Sequence, residues 1–183
     1  MVFVQFGVGV SMVINLPYIT EELSGSYAMY GYFMAGFPLG YVLGTILAGR
    51  ITYRSRRVLM LGALMVGGLT FISLGLTNSI VLAIMTETVA GIAMAFFGIH
   101  NITLCQQLVP NGLMGKVSSV RLFLIRCSMP LGIALGSALS ETWGIRPLYL
   151  LIGCIICTVS VLAMTFHYFA FIDHEPTEES GGS

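Results

Sequence analysis

Runs of 17 to 25 apolar residues, broken by short polar clusters, set the pattern of this chain from its first residues to about position 171. The runs are Val2–Tyr18, Tyr27–Gly49, Val58–Leu76, Ile80–Leu104, Val120–Leu139 and Pro147–Phe171. About 20 apolar residues in a helix cross the hydrocarbon of a bilayer, so each run is long enough to span. Away from water every backbone amide needs an internal partner, and helices supply one for apolar runs of this kind. The pattern therefore predicts an all-α membrane protein of six transmembrane helices. Residues 1–172 form one six-helix domain, and the acidic, Pro- and Gly-containing 173–183 a disordered tail.

Composition agrees with the pattern. Hydrophobic residues make up 56% of the chain and charged residues 9%, against about a quarter charged in soluble domains. The formal net charge is zero, and no basic-aromatic patch suggests nucleic acid. The opening MVFVQFGVGVSMVINLPYI lacks the basic start and small-residue cleavage site of a signal peptide, so it reads as a retained first span. Cys105, Cys127, Cys154 and Cys157 lie in or beside apolar runs, where a free thiol packs as a small hydrophobe. No disulfide framework, metal site or cofactor is expected.

Charge does set orientation. The connection between the second and third runs carries Arg50, Arg54, Arg56 and Arg57, and that between the fourth and fifth carries Lys116 with Arg121 at the helix entrance. The alternate connections offer Arg146 alone. Basic short loops stay in the cytoplasm, which puts both termini there, in an inner or plasma membrane. Attraction of anionic lipid to the arginine cluster needs no further explanation.

Two runs share a phrase: PLGYVLGTIL from Pro38 and PLGIALGSAL from Pro130, 92 positions apart. They occupy similar depths on the second and fifth helices, which run in opposite directions. Two three-helix units, one inverted, would produce this, as in secondary transporter folds. Independent origin of small-residue packing patterns is the alternative. Gly36, Gly40 and Gly44, and Gly132 and Gly136, form GxxxG steps that let helices approach closely. Pro38 and Pro130 each free the carbonyl four residues earlier, suiting a helix that rocks.

The stretch Asn101–Gly144, NITLCQQLVPNGLMGKVSSVRLFLIRCSMPLGIALGSALSETWG, resembles the region of the tenth and eleventh helices of the major facilitator superfamily. Within that superfamily it is most similar to bacterial drug and macrolide efflux permeases. GTILAGRITYRSRRVLMLG resembles a degenerate copy of the family's basic loop between helices eight and nine. Gly44, Arg50, Arg56 and Arg57 fit, while Gly49 stands where the full motif has an acid. The resemblance implies the C-terminal six-helix half of a twelve-helix transporter, with small, often hydrophobic compounds exported at the expense of a proton gradient. It implies a second half, or a second copy, to complete the path. A non-transporting remnant, or a subunit modulating a full transporter, is the alternative.

Glu87 is the one acid expected within a span. A carboxylate there calls for a partner, water or a proton, and so suggests function. Arg126 is its candidate partner, at a depth differing by roughly 5–10 Å. In the functional reading Glu87 exchanges a proton and Arg126 tunes it; in the structural one Glu87 pairs between helices and Arg126 snorkels to the headgroups. Gln5, Asn15, Tyr30 and Tyr41 are candidates to line a polar cavity, beside the alternative of simple interhelical hydrogen bonds. No Ser/His/Asp arrangement, HExxH or nucleotide loop points to an enzyme. Short cytoplasmic connections exclude the long intracellular helices of an ATP-driven exporter half.

Overall fold

The computed structural model describes residues 2–50, 56–108 and 114–165, with backbone alone at 56–58, 103–108 and 114. Six helices result: α1 (Val2–Pro17), α2 (Tyr27–Ala48), α3 (Arg56–Leu76), α4 (Ile80–Leu108), α5 (Met114–Trp143) and α6 (Ile145–Thr165). Each, α1 together with the turn that follows it to Glu22, contains a segment long and apolar enough to cross a membrane. The disordered tail expected at 173–183 lies outside the described residues, as do Arg54 and the side chains of Arg56, Arg57 and Cys105.

Several boundaries differ from the apolar runs, for local reasons. A turn of π-helix, Tyr18–Glu22, prolongs α1 into the polar cluster. There the Leu23 amide donates to the Tyr18 carbonyl, five residues back, at 3.1 Å. Ser26 caps α2, its Oγ accepting from the Met29 amide at 3.3 Å, so one orphan donor of the first turn is satisfied. Helix α5 begins six residues before the run at Val120 and ends four after it, since hydropathy marks the apolar part of a helix and not its ends. Only Gly144 separates it from α6. Gly144 adopts φ +82°, a left-handed turn that lacks a Cβ penalty only in glycine, and its amide caps Ser140 at 3.1 Å.

The helices pack α1 on α5, α2 on α4, and α3 on both α6 and α4. Exchanging the first three helices for the last three turns α1·α5 into α4·α2 and returns α3·α6 to itself. Atomic detail repeats the exchange. A Cβ on Gly9 would overlap the Met129 carbonyl, three residues before Gly132, and one on Gly132 would overlap the Phe6 carbonyl, three before Gly9. At the other crossing, a Cβ on Gly91 would overlap the Phe37 carbonyl, three before Gly40, and one on Gly40 the Thr88 carbonyl, three before Gly91. On the axis of exchange, Gly68 and Gly153 face each other. A Cβ on Gly68 would lie 3.0 Å from the Cys157 amide nitrogen, and one on Gly153 would lie 2.9 Å from that of Ile72. The Pro38 and Pro130 phrases thus occupy equivalent places in two inverted three-helix units.

Tyr18, Tyr149, Phe33, Ile14, Ile19 and Leu148 are fully buried and belong to the core, contributed by α1 with its π-turn, α2 and α6. The rings of Tyr18 and Tyr149 meet edge to face, their centroids 5.0 Å apart. Helices α2 and α5 bury the least of themselves, on narrow faces that carry Gly36, Gly40 and Gly44 in one and Ser128, Gly132 and Gly136 in the other.

Candidate functional site

A cavity of about 210 Å³ opens between α1, α2, α3 and α4, with Ile156 of α6 at one wall. Its position follows from the packing. The small-residue crossings hold α1 to α5 and α2 to α4, so the gap between these two pairs is left open, with α3 behind it. Val4, Val8, Phe37, Leu64, Phe71 and Met94 give it apolar walls. Four polar side chains face it: Ser11, Asn15, Thr70 and Glu87.

Three of these four have partners. Ser11 Oγ donates to the Gly7 carbonyl at 2.9 Å, and Thr70 Oγ1 to the Gly67 carbonyl at 2.7 Å, each within its own helix. Asn15 Oδ1 accepts from the Tyr149 hydroxyl at 2.5 Å, and its Nδ2 lies 3.8 Å from Met34 Sδ. Glu87 is different. It is half-buried, and among the described residues no hydrogen bond or ion pair reaches its carboxylate. Its Cβ lies against Gly36, whose missing side chain leaves the carboxylate free to turn into the cavity.

One end of the cavity is closed by polar contacts. Beyond Asn15 and Leu74, Tyr18 Oη donates to the Leu74 carbonyl at 2.6 Å, tying the end of α1 to α3. The π-turn adds Glu22, paired with Arg146 of α6 at 2.8 Å, the one ion pair among the described residues. These contacts join the elements on the side opposite the arginine cluster. On the arginine side, Arg121 of α5 donates to Asn101 of α4.

The residues singled out in the sequence divide accordingly. Glu87 and Asn15 line the cavity, as do Pro38 and the residue whose carbonyl it frees, Met34. Gln5 is half-buried against α5, its Nε2 3.6 Å from Met129 Sδ, and is absent from the lining. Tyr30 packs on the apolar core, and Tyr41 is exposed with its ring stacked on Phe37, 6.5 Å between centroids. Neither lines the cavity. Arg126 is exposed on α5 and is not brought to Glu87. Helix α5, which carries it, packs on α1 rather than on α4. Arg50 is exposed just beyond α2.

Sequence reasoning missed Thr70, Ser11 and the partners of the repeated phrase. A signal for those partners exists: Gly9-Val10-Ser11-Met12 and Gly91-Ile92-Ala93-Met94 are a second echo, on the helices that receive the two phrases.

An up-and-down bundle of six spanning helices, built as an inverted pair around a cavity with one acid, has the architecture of a membrane transport domain. The chain belongs to the Major Facilitator Superfamily, whose family model matches residues 1–182. Among curated proteins no match was found. The chain is thus a multi-pass membrane protein of a transporter family.

Proposed function

We propose that these six helices are one half of a proton-coupled exporter of small hydrophobic or drug-like compounds, with Glu87 as the group that takes up and releases the proton. Efflux direction and the pairing with a second six-helix half, or a second copy, rest on the likeness of Asn101–Gly144 to drug and macrolide permeases. The loop charges favour a cytoplasmic position for both ends of the domain, in the inner or plasma membrane.

One observation carries the proton assignment: Glu87 is the sole ionisable side chain on the wall of the cavity, and it lacks a partner among the described residues. A charge held there without compensation costs several kcal/mol in hydrocarbon, whereas a proton removes the charge. The apolar walls suit a hydrophobic cargo, and Asn15 offers the one side-chain amide that could orient it.

The test uses everted vesicles bearing the protein and a panel of hydrophobic dyes of negative, zero and positive charge. Glu87→Gln is expected to abolish export driven by a pH gradient while leaving energy-independent dye exchange in place. Export at the wild-type rate in Glu87→Gln would remove the role.

A further inference from the structure

Asn15 is 6% exposed, so its side-chain amide is more than nine-tenths buried. An amide has two unlike ends, an oxygen that accepts and a nitrogen with two protons to donate. Which end faces the cavity is decided outside the cavity, by Tyr149 of α6.

Tyr149 has no exposed surface, and its hydroxyl reaches one acceptor among the described residues, Asn15 Oδ1 at 2.5 Å. With the amide turned over, its nitrogen would meet the hydroxyl, whose own proton would be buried without an acceptor. A buried donor left unmet costs more than one hydrogen bond returns, so the oxygen stays on Tyr149. The tyrosine ring is not free to swing away. It is held between Tyr18 and Phe71, with centroids 5.0 and 6.4 Å away, and Tyr18 is itself tied to the Leu74 carbonyl at 2.6 Å.

The nitrogen is thereby left at the cavity wall. There it meets Met34 Sδ at 3.8 Å, a weak acceptor on a flexible side chain that also lines the cavity. The hydroxyl protons of Ser11 and Thr70 are spent on the Gly7 and Gly67 carbonyls. Apart from a proton on Glu87, the Asn15 amide is therefore the one side-chain donor that the wall turns toward a ligand.

We propose that Tyr149 fixes the polarity of this amide and so makes the cavity select small, uncharged, apolar compounds that carry a carbonyl-type acceptor. The proposal rests on the transporter reading above and narrows its substrate class. Tyr149 is a positioning residue, since it is absent from the lining and acts through Asn15. A carbonyl oxygen gives the amide the strong acceptor that a thioether does not. A hydrocarbon of the same shape leaves the amide unmet, and a compound presenting only an N–H sets donor against donor.

The experiment places the full chain in lipid nanodiscs and measures binding by equilibrium dialysis, above protein-free discs. The probes are three flat tricycles of one shape: fluorenone, an acceptor; carbazole, an N–H donor; and fluorene, neither. Fluorenone is expected to bind about fivefold tighter than fluorene, the net worth of one hydrogen bond. Tyr149→Phe deletes only the hydroxyl and lets the amide take both orientations. Fluorenone should then lose about twofold, because the competent orientation is halved, while carbazole gains at least about twofold and fluorene is unchanged. A merely structural role for Tyr149 would move all three the same way; that result, or no movement at all, would overturn the proposal. Asn15→Leu should bring fluorenone down to the level of fluorene, and an advantage kept there would overturn the role of Asn15. The fluorenone preference should persist in Glu87→Gln. Its loss in that variant would assign the carbonyl's partner to the Glu87 proton and overturn the role of Asn15 as well. Dialysis reads binding without transport, so loss of pH-driven export would bear on the Glu87 reading and leave this readout untouched.

Discussion

Asn15 and Tyr149 show how little a single polar contact has to do, and where it cannot be spared. Tyr149 is fully buried, and its hydroxyl has Asn15 Oδ1 as its acceptor; Asn15 also faces the cavity, where water can replace a lost partner. The two truncations are therefore unequal. Tyr149→Phe is expected to lower stability by about 0.6–1 kcal/mol, the usual worth of a hydrogen bond between membrane helices. Asn15→Leu strands a buried hydroxyl and should cost about 1–3 kcal/mol. Unfolding midpoints in mixed micelles measure both, and a Tyr149→Phe loss equal to or greater than that of Asn15→Leu would refute the account. Asn15 was legible as a cavity residue because a lone amide in an apolar run stands out. Tyr149 was not, because an aromatic near a helix start reads equally well as an interfacial anchor.

At the scale of elements, close helix crossings decide the architecture, and glycine is placed where backbone meets backbone. Gly40 and Gly132 make equivalent crossings, whereas Gly62 in α3 has nothing within 4 Å of the place a Cβ would take. Gly40→Ala and Gly132→Ala should each destabilise by about 1–3 kcal/mol or more, since the clash is with a main-chain carbonyl that cannot rotate away. Gly62→Ala should be neutral or gain up to about 1 kcal/mol of helix propensity. Equal midpoints for Gly40→Ala and Gly62→Ala would mean the α2·α4 approach is looser than described. The phrases at Pro38 and Pro130 were legible because Pro and Gly punctuate an apolar helix. Their receiving surfaces were not: Gly9 and Gly91 sit among Val, Ile, Ala and Met, which suit lipid and helix contact alike, so sequence cannot say which side of α1 or α4 is covered. The same ambiguity hid the end of α5. Apolar runs mark only the most hydrophobic part of a helix, while Met114–Ser119 and Ser140–Trp143 continue it beyond the run.

For the whole molecule, the orientation of the bundle in the membrane has to be read from the side chains at its two ends. Arg50, Lys116 and Arg121 are exposed or half-buried at one end. The other end carries Glu21 and Glu22, exposed, and Arg146, which is engaged with Glu22. Among the described residues Arg146 is the one basic side chain at that end, so a rule that counts Lys and Arg favours a cytoplasmic Arg50–Arg121 end. Lys116→Cys and Asn78→Cys, both at exposed positions on opposite ends, test this in a cysteine-free background. A membrane-impermeant maleimide added to intact cells should label Asn78→Cys and leave Lys116→Cys unmodified until the cells are opened. The reverse labelling would invert the bundle, putting the Glu22–Arg146 closure on the cytoplasmic side and turning the proposed export path around. Breaking the closure with Arg146→Glu should leave the labelling order unchanged, because the change removes a basic residue from the Glu22 end and none from the Arg50–Arg121 end. An Arg146→Glu chain that flipped would show that this ion pair, rather than the basic end, holds the orientation.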